Sequence, residues 1–216
     1  MSESKPTLRR EQIAGMNIHY IMWSLDYFLD AQQRLGFKTI ELWAAEPHVT
    51  LDHTGYFEAD ELRRKIESRG LSVSSLCPEN VVYPWQYAAR KPLHAQRSLA
   101  YFKHGIELAE VLGAPYMSIN SGWGDWDEDR EEAWKRSAEH LAILADYAGE
   151  HGVTLCMESL RPEESNLVVT LADARRMLDQ VASPHLTPMV DTTAMGVAGE
   201  SLEEWFAEFG DGAIRN

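Results

Sequence analysis

The sequence predicts an α/β fold built from repeated βα units, and three observations support that prediction. Short apolar runs alternate with longer helical patterns along the chain. Four predicted helices end in glycine just before the next apolar run, at Gly36, Gly70, Gly113 and Gly152, where glycine permits the left-handed turn that closes a helix. The sequence has neither GxGxxG after its first strand nor GxxxxGK followed by Ser or Thr, the motifs that mark nucleotide-binding open sheets. These features favour a (β/α)8 barrel over an open doubly wound sheet, with about six of the eight units present.

Six apolar runs are the predicted strands, because a parallel strand buried on both faces is apolar at nearly every position. They cover residues 15–22, 37–43, 71–77, 115–120, 152–158 and 186–191. A helical pattern follows each run, at 24–35, 58–69, 93–113, 130–151, 170–182 and 201–209. Ser24 is the predicted N-cap of the first helix. We expect one domain over residues 1–216, with a flexible N-terminal segment at 1–12.

The charge of the chain disfavours two classes of partner. The chain contains 34 Asp and Glu residues and 20 Lys and Arg residues, which gives a formal net charge of −14. Hydrophobic residues make up 44% of the sequence. That hydrophobic content is enough for a sizeable core, while the acidic field repels nucleic acid and anionic membranes. No apolar run reaches bilayer-spanning length, and the first residues lack the apolar part of a signal peptide. We therefore expect a cytoplasmic protein with no nucleic-acid or membrane partner.

Two acidic residues end two of the apolar runs. Glu158 closes the fifth predicted strand and Asp191 closes the sixth. Catalytic groups of (β/α)8 barrels lie at the C-terminal ends of the strands, so these two carboxylates are expected to face each other there and to form a metal site. The alternative is that both are salt-bridged strand ends without a chemical role.

Four stretches of the sequence carry a resemblance to a known family. They are Ile40–Trp43 with Pro47 and His48, Cys77–Pro84, Met157–Asn166, and Ser183–Pro184 before Met189–Asp191. Over nearly its whole length the chain resembles the xylose-isomerase-like TIM barrels of the sugar phosphate isomerase and epimerase family. The ketose 3-epimerases and fructoselysine 3-epimerase are the members that it resembles most.

The resemblance implies a catalytic metal site. It implies that Glu158 and Asp191 bind one divalent metal, and that Glu164, six positions after Glu158, contacts the substrate. Oxygen-rich ligation favours Mn²⁺ first, with Mg²⁺, Co²⁺ or Zn²⁺ as alternatives. Epimerisation of a ketose removes a proton beside a carbonyl and passes through an enediolate, so it needs a Lewis acid and a carboxylate base. Glu158 is the expected base.

The family completes its metal shell with a histidine from the seventh strand and a glutamate from the eighth, which also serves as the second acid/base. The sequence reaches Asn216 before either residue. The resemblance therefore implies impaired activity for this chain. Because an incomplete barrel leaves sheet edges uncovered, we also expect self-association into a homo-oligomer.

Further residues are candidates for contact with a small-molecule sugar or sugar derivative, and each has a structural alternative. Arg161 and Glu164 share a loop and are as well explained by pairing with each other. His19 is better explained as a histidine of the core, and packing is an equal explanation for aromatic residues. The candidates are His19, His48, Glu79, Trp123 and Arg161, with Trp43 and Tyr83 as further pocket aromatics.

Four functions stay open. A divalent-metal-dependent sugar epimerase or isomerase is favoured by the placement of Glu158 and Asp191. A noncatalytic or degenerate sugar-binding barrel fragment is the main alternative. An inosose dehydratase-like lyase would begin with the same kind of proton abstraction and then lose a hydroxyl. An endonuclease IV-like nuclease would need more metal histidines and a basic groove, against which the −14 charge argues.

Overall fold

The protein is described by a computed structural model over residues 8–81, 84–210 and 212–215. Among these residues the main sheet has six strands, all parallel and paired in chain order. The strands of the main sheet are β1 (Gly15–Met16), β2 (Thr39–Ala44), β5 (Ser72–Pro78), β6 (Tyr116–Ile119), β7 (Thr154–Glu158) and β8 (Leu186–Met189). Two further short strands, β3 (Leu51–Asp52) and β4 (Gly55–Tyr56), lie between β2 and β5 in the sequence. The short β3 and β4 form a separate antiparallel hairpin. The predicted order of six parallel strands is confirmed.

Helices alternate with the strands of the main sheet. They are α1 (Leu25–Leu35), α2 (Ala59–Glu67), α3 (Pro92–Leu112), α4 (Arg130–Glu150), α5 (Leu171–Val181), α6 (Thr192–Ala198) and α7 (Leu202–Phe209). The hydroxyl of Ser24 accepts a hydrogen bond from the N–H of Tyr27, which confirms it as the N-cap of α1. Gly36 and Gly113 end α1 and α3 with φ of 80° and 68°, the conformation that the glycine pattern predicts. Across the described part of the chain, no helix combines the length and apolar character needed to cross a bilayer.

The first strand is much shorter than predicted. It ends at Met16, and a 3-10 helix follows over Asn17–Tyr20. Asn17 is fully buried, and its side chain accepts from the N–H of Trp43 at 2.7 Å and donates to the carbonyl of Trp43 at 3.0 Å. Because this side chain bonds the β2 backbone in place of a β1 backbone group, the chain is free to leave the sheet. His19 therefore lies exposed on the 3-10 helix, and its prediction as a core residue of the first strand is wrong.

The two longest helices pack over the centre of the sheet. Helices α3 and α4 have 21 residues each and bury residues such as Phe102, Ile106 and Leu141. Full burial of one such side chain contributes roughly 1.5–3 kcal/mol. At Gly105 a Cβ would lie 3.2 Å from both the sulfur of Met117 and the ring of Pro78. Glycine at this position lets α3 approach β5 and β6 closely.

The sheet is open. In the described structure β1 pairs only with β2, and β8 pairs only with β7. The N–H of Arg215 donates to the carbonyl of Pro188 at 3.0 Å, so the last described residues run beside the outer edge of β8. The architecture is the expected α/β barrel with about six strands, not closed. Of the predicted flexible segment 1–12, residues 1–7 lie outside the described residues, and Arg10–Gln12 forms a short 3-10 helix.

Candidate active site

Glu158 and Asp191 meet at the C-terminal end of the sheet. Glu158 is the last residue of β7 and lies opposite Met189 of β8, two residues before Asp191. The two half-buried carboxyl groups are close enough to share a hydrogen bond. Asp191 is also the N-cap of α6, where its Oδ1 accepts from the N–H groups of Thr193 at 2.6 Å and Ala194 at 3.2 Å. The start of α6 therefore fixes the orientation of the Asp191 side chain.

Glu158 is electrostatically unusual. Burial raises its pKa to about 8, and the charges of Asp191, Glu41 and Glu164 add to that shift. Two carboxylates held together in a partly buried place are stable only when one is protonated or when a cation lies between them. Hard oxygen donors of this kind suit a divalent cation such as Mn²⁺ or Mg²⁺.

The pair fits part of a metal shell. Glu158 and Asp191 would supply two oxygen ligands. Among the described residues, no group of three or more His, Cys, Asp or Glu side chains is arranged to hold a metal ion. The remaining positions of a six-coordinate ion would belong to water and substrate oxygens.

Arg161 and Glu164 form an ion pair beside these carboxylates. The guanidinium donates to both oxygens of Glu164, with Nε at 3.1 Å from Oε2, and the backbone N–H of Arg161 donates to Oε2 at 3.2 Å. The hydrogen bond from Arg161 lowers the pKa of Glu164 and keeps it ionised. The ion pair between Arg161 and Glu164, which was the structural alternative to substrate contact, is therefore present. A role of either residue in substrate contact stays a prediction.

His48 contacts protein groups through both of its ring nitrogens. Its Nδ1 lies 2.9 Å from Nδ2 of Asn17, and its Nε2 lies 2.8 Å from the carbonyl oxygen of Trp23. Because the amide nitrogen is a donor and the carbonyl is an acceptor, the proton of the neutral ring is on Nε2. His48 thus holds the segment of Trp23 against the barrel, and its role in substrate binding stays a prediction.

Glu79 also bonds protein groups through both of its carboxylate oxygens. One oxygen accepts from the indole N–H of Trp43 at 3.0 Å, and the other accepts from the N–H of Val81 at 3.1 Å. Trp43 is buried, so Glu79 orients this aromatic ring from the end of β5. The predicted substrate roles of Glu79 and Trp43 are untested, and Tyr83 lies outside the described residues.

A cavity of about 500 Å³ lies beside the Arg161–Glu164 pair. It is formed by the loop after β6, which carries Trp123 and Trp126, and by the loop after β7, which carries Glu164 and Asn166. Asn166 ties the two loops together, because its Oδ1 accepts from the N–H of Gly124 at 2.8 Å and its Nδ2 donates to the carbonyl of Gly124 at 3.0 Å. Trp123 therefore forms part of the cavity wall, and its role in sugar binding stays a prediction.

Sequence reasoning missed three residues that shape this site. Asn17 and Asn166 act through hydrogen bonds to backbone groups distant in sequence, and no local pattern indicates such bonds. Glu41 lies within β2, and its charge acts on Glu158. The sequence carried a signal for Glu41, because a carboxylate inside a mostly apolar run is as unusual as the carboxylate with which Glu158 ends its run.

Comparison with known proteins identifies the family of the chain. The family model described as the xylose isomerase-like TIM barrel matches residues 29–216. The chain belongs to this family. It is 29% identical over 184 residues to fructoselysine 3-epimerase of Shigella flexneri, with 85% of this chain and 66% of that protein covered. It is 23% identical over 224 residues to D-psicose 3-epimerase of Enterocloster bolteae, with 94% of this chain and 70% of that protein covered.

Solved structures of two sugar epimerases have the same fold as this chain. The structure of an L-ribulose 3-epimerase superposes with a TM-score of 0.78 at 23% identity, covering 94% of this chain and 67% of that one. A D-psicose 3-epimerase in the presence of D-fructose gives a TM-score of 0.76 at 16% identity, covering 93% and 70%. The chain spans slightly less than two thirds of the length of the fructoselysine 3-epimerase that it matches. The resemblance to this family and its epimerases is confirmed.

Proposed function

We propose that the chain carries part of the metal site of a divalent-metal-dependent sugar epimerase or isomerase that abstracts a proton beside a carbonyl. The observation that carries the proposal is the contact between the Glu158 and Asp191 carboxyl groups at the C-terminal ends of adjacent parallel strands. Support comes from the family, in which the relatives are sugar epimerases. The expected substrate is a ketose or a sugar derivative.

Glu158 and Asp191 are the residues that would hold the divalent metal, with Mn²⁺ expected first and Mg²⁺, Co²⁺ or Zn²⁺ as alternatives. When bound, such an ion supplies stabilisation of the negative charge that develops on the carbonyl oxygen in the enediolate. Asp191 is held in position by the first turn of α6, so its carboxylate is preorganised. Preorganisation matters because a charged ligand that must move loses part of its stabilising effect.

Glu158 is proposed as the base that takes the carbon-bound proton. A catalytic base must lie close to the proton that it removes and have a pKa near the working pH. The end of β7 directs Glu158 into the mouth of the barrel, beside Glu164. We propose that Arg161 and Glu164 hold sugar hydroxyls and that Trp123 packs against the sugar. The proton on the opposite face must be returned by a second group, to which we assign none of the described residues.

The test is exchange of substrate hydrogen with solvent. The chain is incubated in D₂O with Mn²⁺ and a ketose such as D-fructose, and deuterium incorporation beside the carbonyl is followed by NMR, which detects slow turnover. We expect incorporation that depends on Mn²⁺ and is abolished in Glu158→Gln. The matched control is Glu139→Gln, an exposed carboxylate on α4. Undiminished exchange in Glu158→Gln would remove the base assignment, and release of a dehydrated product would indicate the lyase alternative.

A noncatalytic sugar-binding barrel is the second candidate. It is favoured by the lack of a third metal ligand among the described residues, because two carboxylates hold a divalent ion weakly. For this candidate, sugar would bind with or without metal, and no deuterium would enter the sugar.

A further inference from the structure

Asn80 is connected to the position of Glu158 by strand register and by direct hydrogen bonds. Ile119 of β6 pairs with Met157 of β7. The next residues along the two strands, Asn120 and Glu158, therefore lie side by side at the C-terminal ends of the strands. The Nδ2 of Asn120 donates to the Oδ1 of Asn80 at 2.6 Å and to the Asn80 carbonyl at 2.9 Å. Asn80 follows the last residue of β5 by two positions, so it belongs to the same mouth as Glu158.

A backbone group fixes the orientation of both amides. The N–H of Gly122 donates to one end of the Asn120 amide at 2.7 Å, and since a backbone N–H can only donate, that end is Oδ1. The other end of Asn120 is Nδ2, which faces two oxygen acceptors of Asn80. The Oδ1 of Asn80 is thus turned towards Asn120, and its Nδ2 is turned away from it.

The Nδ2 of Asn80 is a donor without a partner in the described structure. Asn80 is only 7% exposed, and no described residue accepts a hydrogen bond from its Nδ2. The atom still reaches solvent, because it is not one of the fully buried side-chain atoms that lack a partner, such as the hydroxyl oxygens of Ser75 and Tyr87. An amide donor in a side chain that is more than nine-tenths buried is poorly hydrated, and a ligand oxygen that satisfies it gains free energy.

The polar neighbours of Asn80 offer no comparable donor. The carboxylate oxygens of Glu79 accept from the indole N–H of Trp43 and from the N–H of Val81. Asn120 uses its Nδ2 for two hydrogen bonds to Asn80. Asn80 is therefore the better candidate for substrate contact at the end of β5.

We propose that Asn80 is a substrate-binding residue that donates a hydrogen bond to one hydroxyl oxygen of the sugar at Glu158 and Asp191. The inference rests on the proposed function for the position of the sugar, and it deepens that function by naming a residue that selects a hydroxyl group. Because Nδ2 can only donate, the site recognises an oxygen acceptor and loses affinity when that oxygen is missing from the sugar. Asn120 holds Asn80 in the orientation that presents the donor.

Sugar binding to the full 216-residue chain tests the proposal without depending on catalysis. D-fructose is titrated in the presence of Mn²⁺ and followed by ligand-observed NMR, which measures weak affinities. Asn80→Asp keeps an oxygen for Asn120 and removes the donor, whereas Asn80→Ala removes both. Each variant is expected to bind D-fructose about fivefold to tenfold more weakly than the unaltered chain. The control Gln96→Ala changes an exposed amide on α3 and should leave the affinity unchanged.

Monodeoxy derivatives of D-fructose, each of which lacks one hydroxyl, separate a direct contact from a general loss of structure. For one of these sugars, both Asn80 variants should bind as tightly as the unaltered chain, because the contacted hydroxyl is already missing. The other derivatives should show the full loss. Undiminished D-fructose affinity in both variants, the same loss for every deoxy sugar, or no measurable binding of D-fructose to the unaltered chain would overturn the proposal.

The outcomes also separate this proposal from the proposed function. A loss of affinity that disappears for one deoxy sugar, without deuterium exchange on D-fructose, would support the Asn80 contact and contradict the epimerase. Deuterium exchange on D-fructose with undiminished affinity in both Asn80 variants would support the epimerase and overturn the Asn80 contact.

Discussion

Asn17 connects the first strand to the rest of the barrel mouth, and its removal is expected to destabilise the protein strongly. Its buried side chain makes three hydrogen bonds, two to the backbone of Trp43 and one to the ring of His48. In Asn17→Ala the buried N–H of Trp43 loses its acceptor, which costs about 1–3 kcal/mol. The two other lost bonds add about 0.5–1.5 kcal/mol each. Because the surrounding structure relaxes in part, we expect Asn17→Ala to lower the free energy of unfolding by about 2–4 kcal/mol.

The assay is urea unfolding followed by tryptophan fluorescence. With a slope on the order of 2–3 kcal/mol per molar urea for a chain of this size, the midpoint of Asn17→Ala should fall by about 1 M. The matched control is Gln33→Ala, which removes a side-chain hydrogen bond to the carbonyl of Arg69 on the surface. That change is expected to cost less than about 0.5 kcal/mol. Equal losses in the two variants would refute the role assigned to the buried Asn17 network.

Three further predictions concern acid stability, the cap of α6 and assembly. Burial raises the pKa of Glu128, but hydrogen bonds from Arg136, the N–H of Asp125 and Arg90 outweigh it and hold the pKa below its usual value. The ionised Glu128 carboxylate therefore stabilises the protein at pH values above the pKa that it has in the unfolded chain, and this stabilisation is lost as the pH falls through its lower pKa in the folded protein. Glu128→Gln should accordingly lower the free energy of unfolding at pH 7 and have little effect near pH 3. Urea unfolding at both pH values checks this, and an equal loss at both would contradict it. Asp191→Ala should lower the free energy of unfolding by about 1 kcal/mol, because it removes the N-cap of α6. Asp191→Asn keeps a side-chain acceptor at the N-cap and should not lower it. Equal thermal stability of the two variants would refute the capping role. Apart from the hydrogen bond that the Pro188 carbonyl accepts from Arg215, the outer edges of β1 and β8 have no strand partner among the described residues, and such edges favour pairing with a second copy. Light scattering should therefore detect dimers or larger species, and a stable monomer would contradict that expectation.

The strand and helix order could be predicted from the sequence because each unit carries its own signal. Buried parallel strands are continuous apolar runs, and the glycines after α1 and α3 mark the helix ends in αL geometry. The positions of Glu158 and Asp191 followed from the same signals, since a carboxylate that ends such a run must lie at the C-terminal mouth.

The elements that the sequence did not reveal depend on tertiary contacts. The early end of β1 results from the Asn17 side chain, which bonds a strand more than twenty residues away. The hairpin of β3 and β4 has only two residues in each strand, too few for an alternating pattern. Helix α6 has seven residues and begins at Thr192, directly after Asp191, so the residue proposed as a metal ligand is also its N-cap. A short pattern beside a charged site residue gives little helical signal of its own.

The pairing within the site also required the structure. The spacing of Arg161 and Glu164 is compatible with both an ion pair and substrate contact, and only the bidentate geometry shows that the pair forms. Similarly, the sequence places His48 and Glu79 after their strands but does not reveal their bonds to Trp23 and Trp43.

The most direct test of the central claim, that Glu158 and Asp191 bind a divalent metal, is a titration of the full chain with Mn²⁺ followed by electron paramagnetic resonance. The account predicts one bound Mn²⁺ per chain, with affinity lowered at least about tenfold in Glu158→Gln and unchanged in the Glu139→Gln control. The claim would be contradicted if the unaltered chain bound no Mn²⁺, or if Glu158→Gln bound Mn²⁺ as strongly as the unaltered chain.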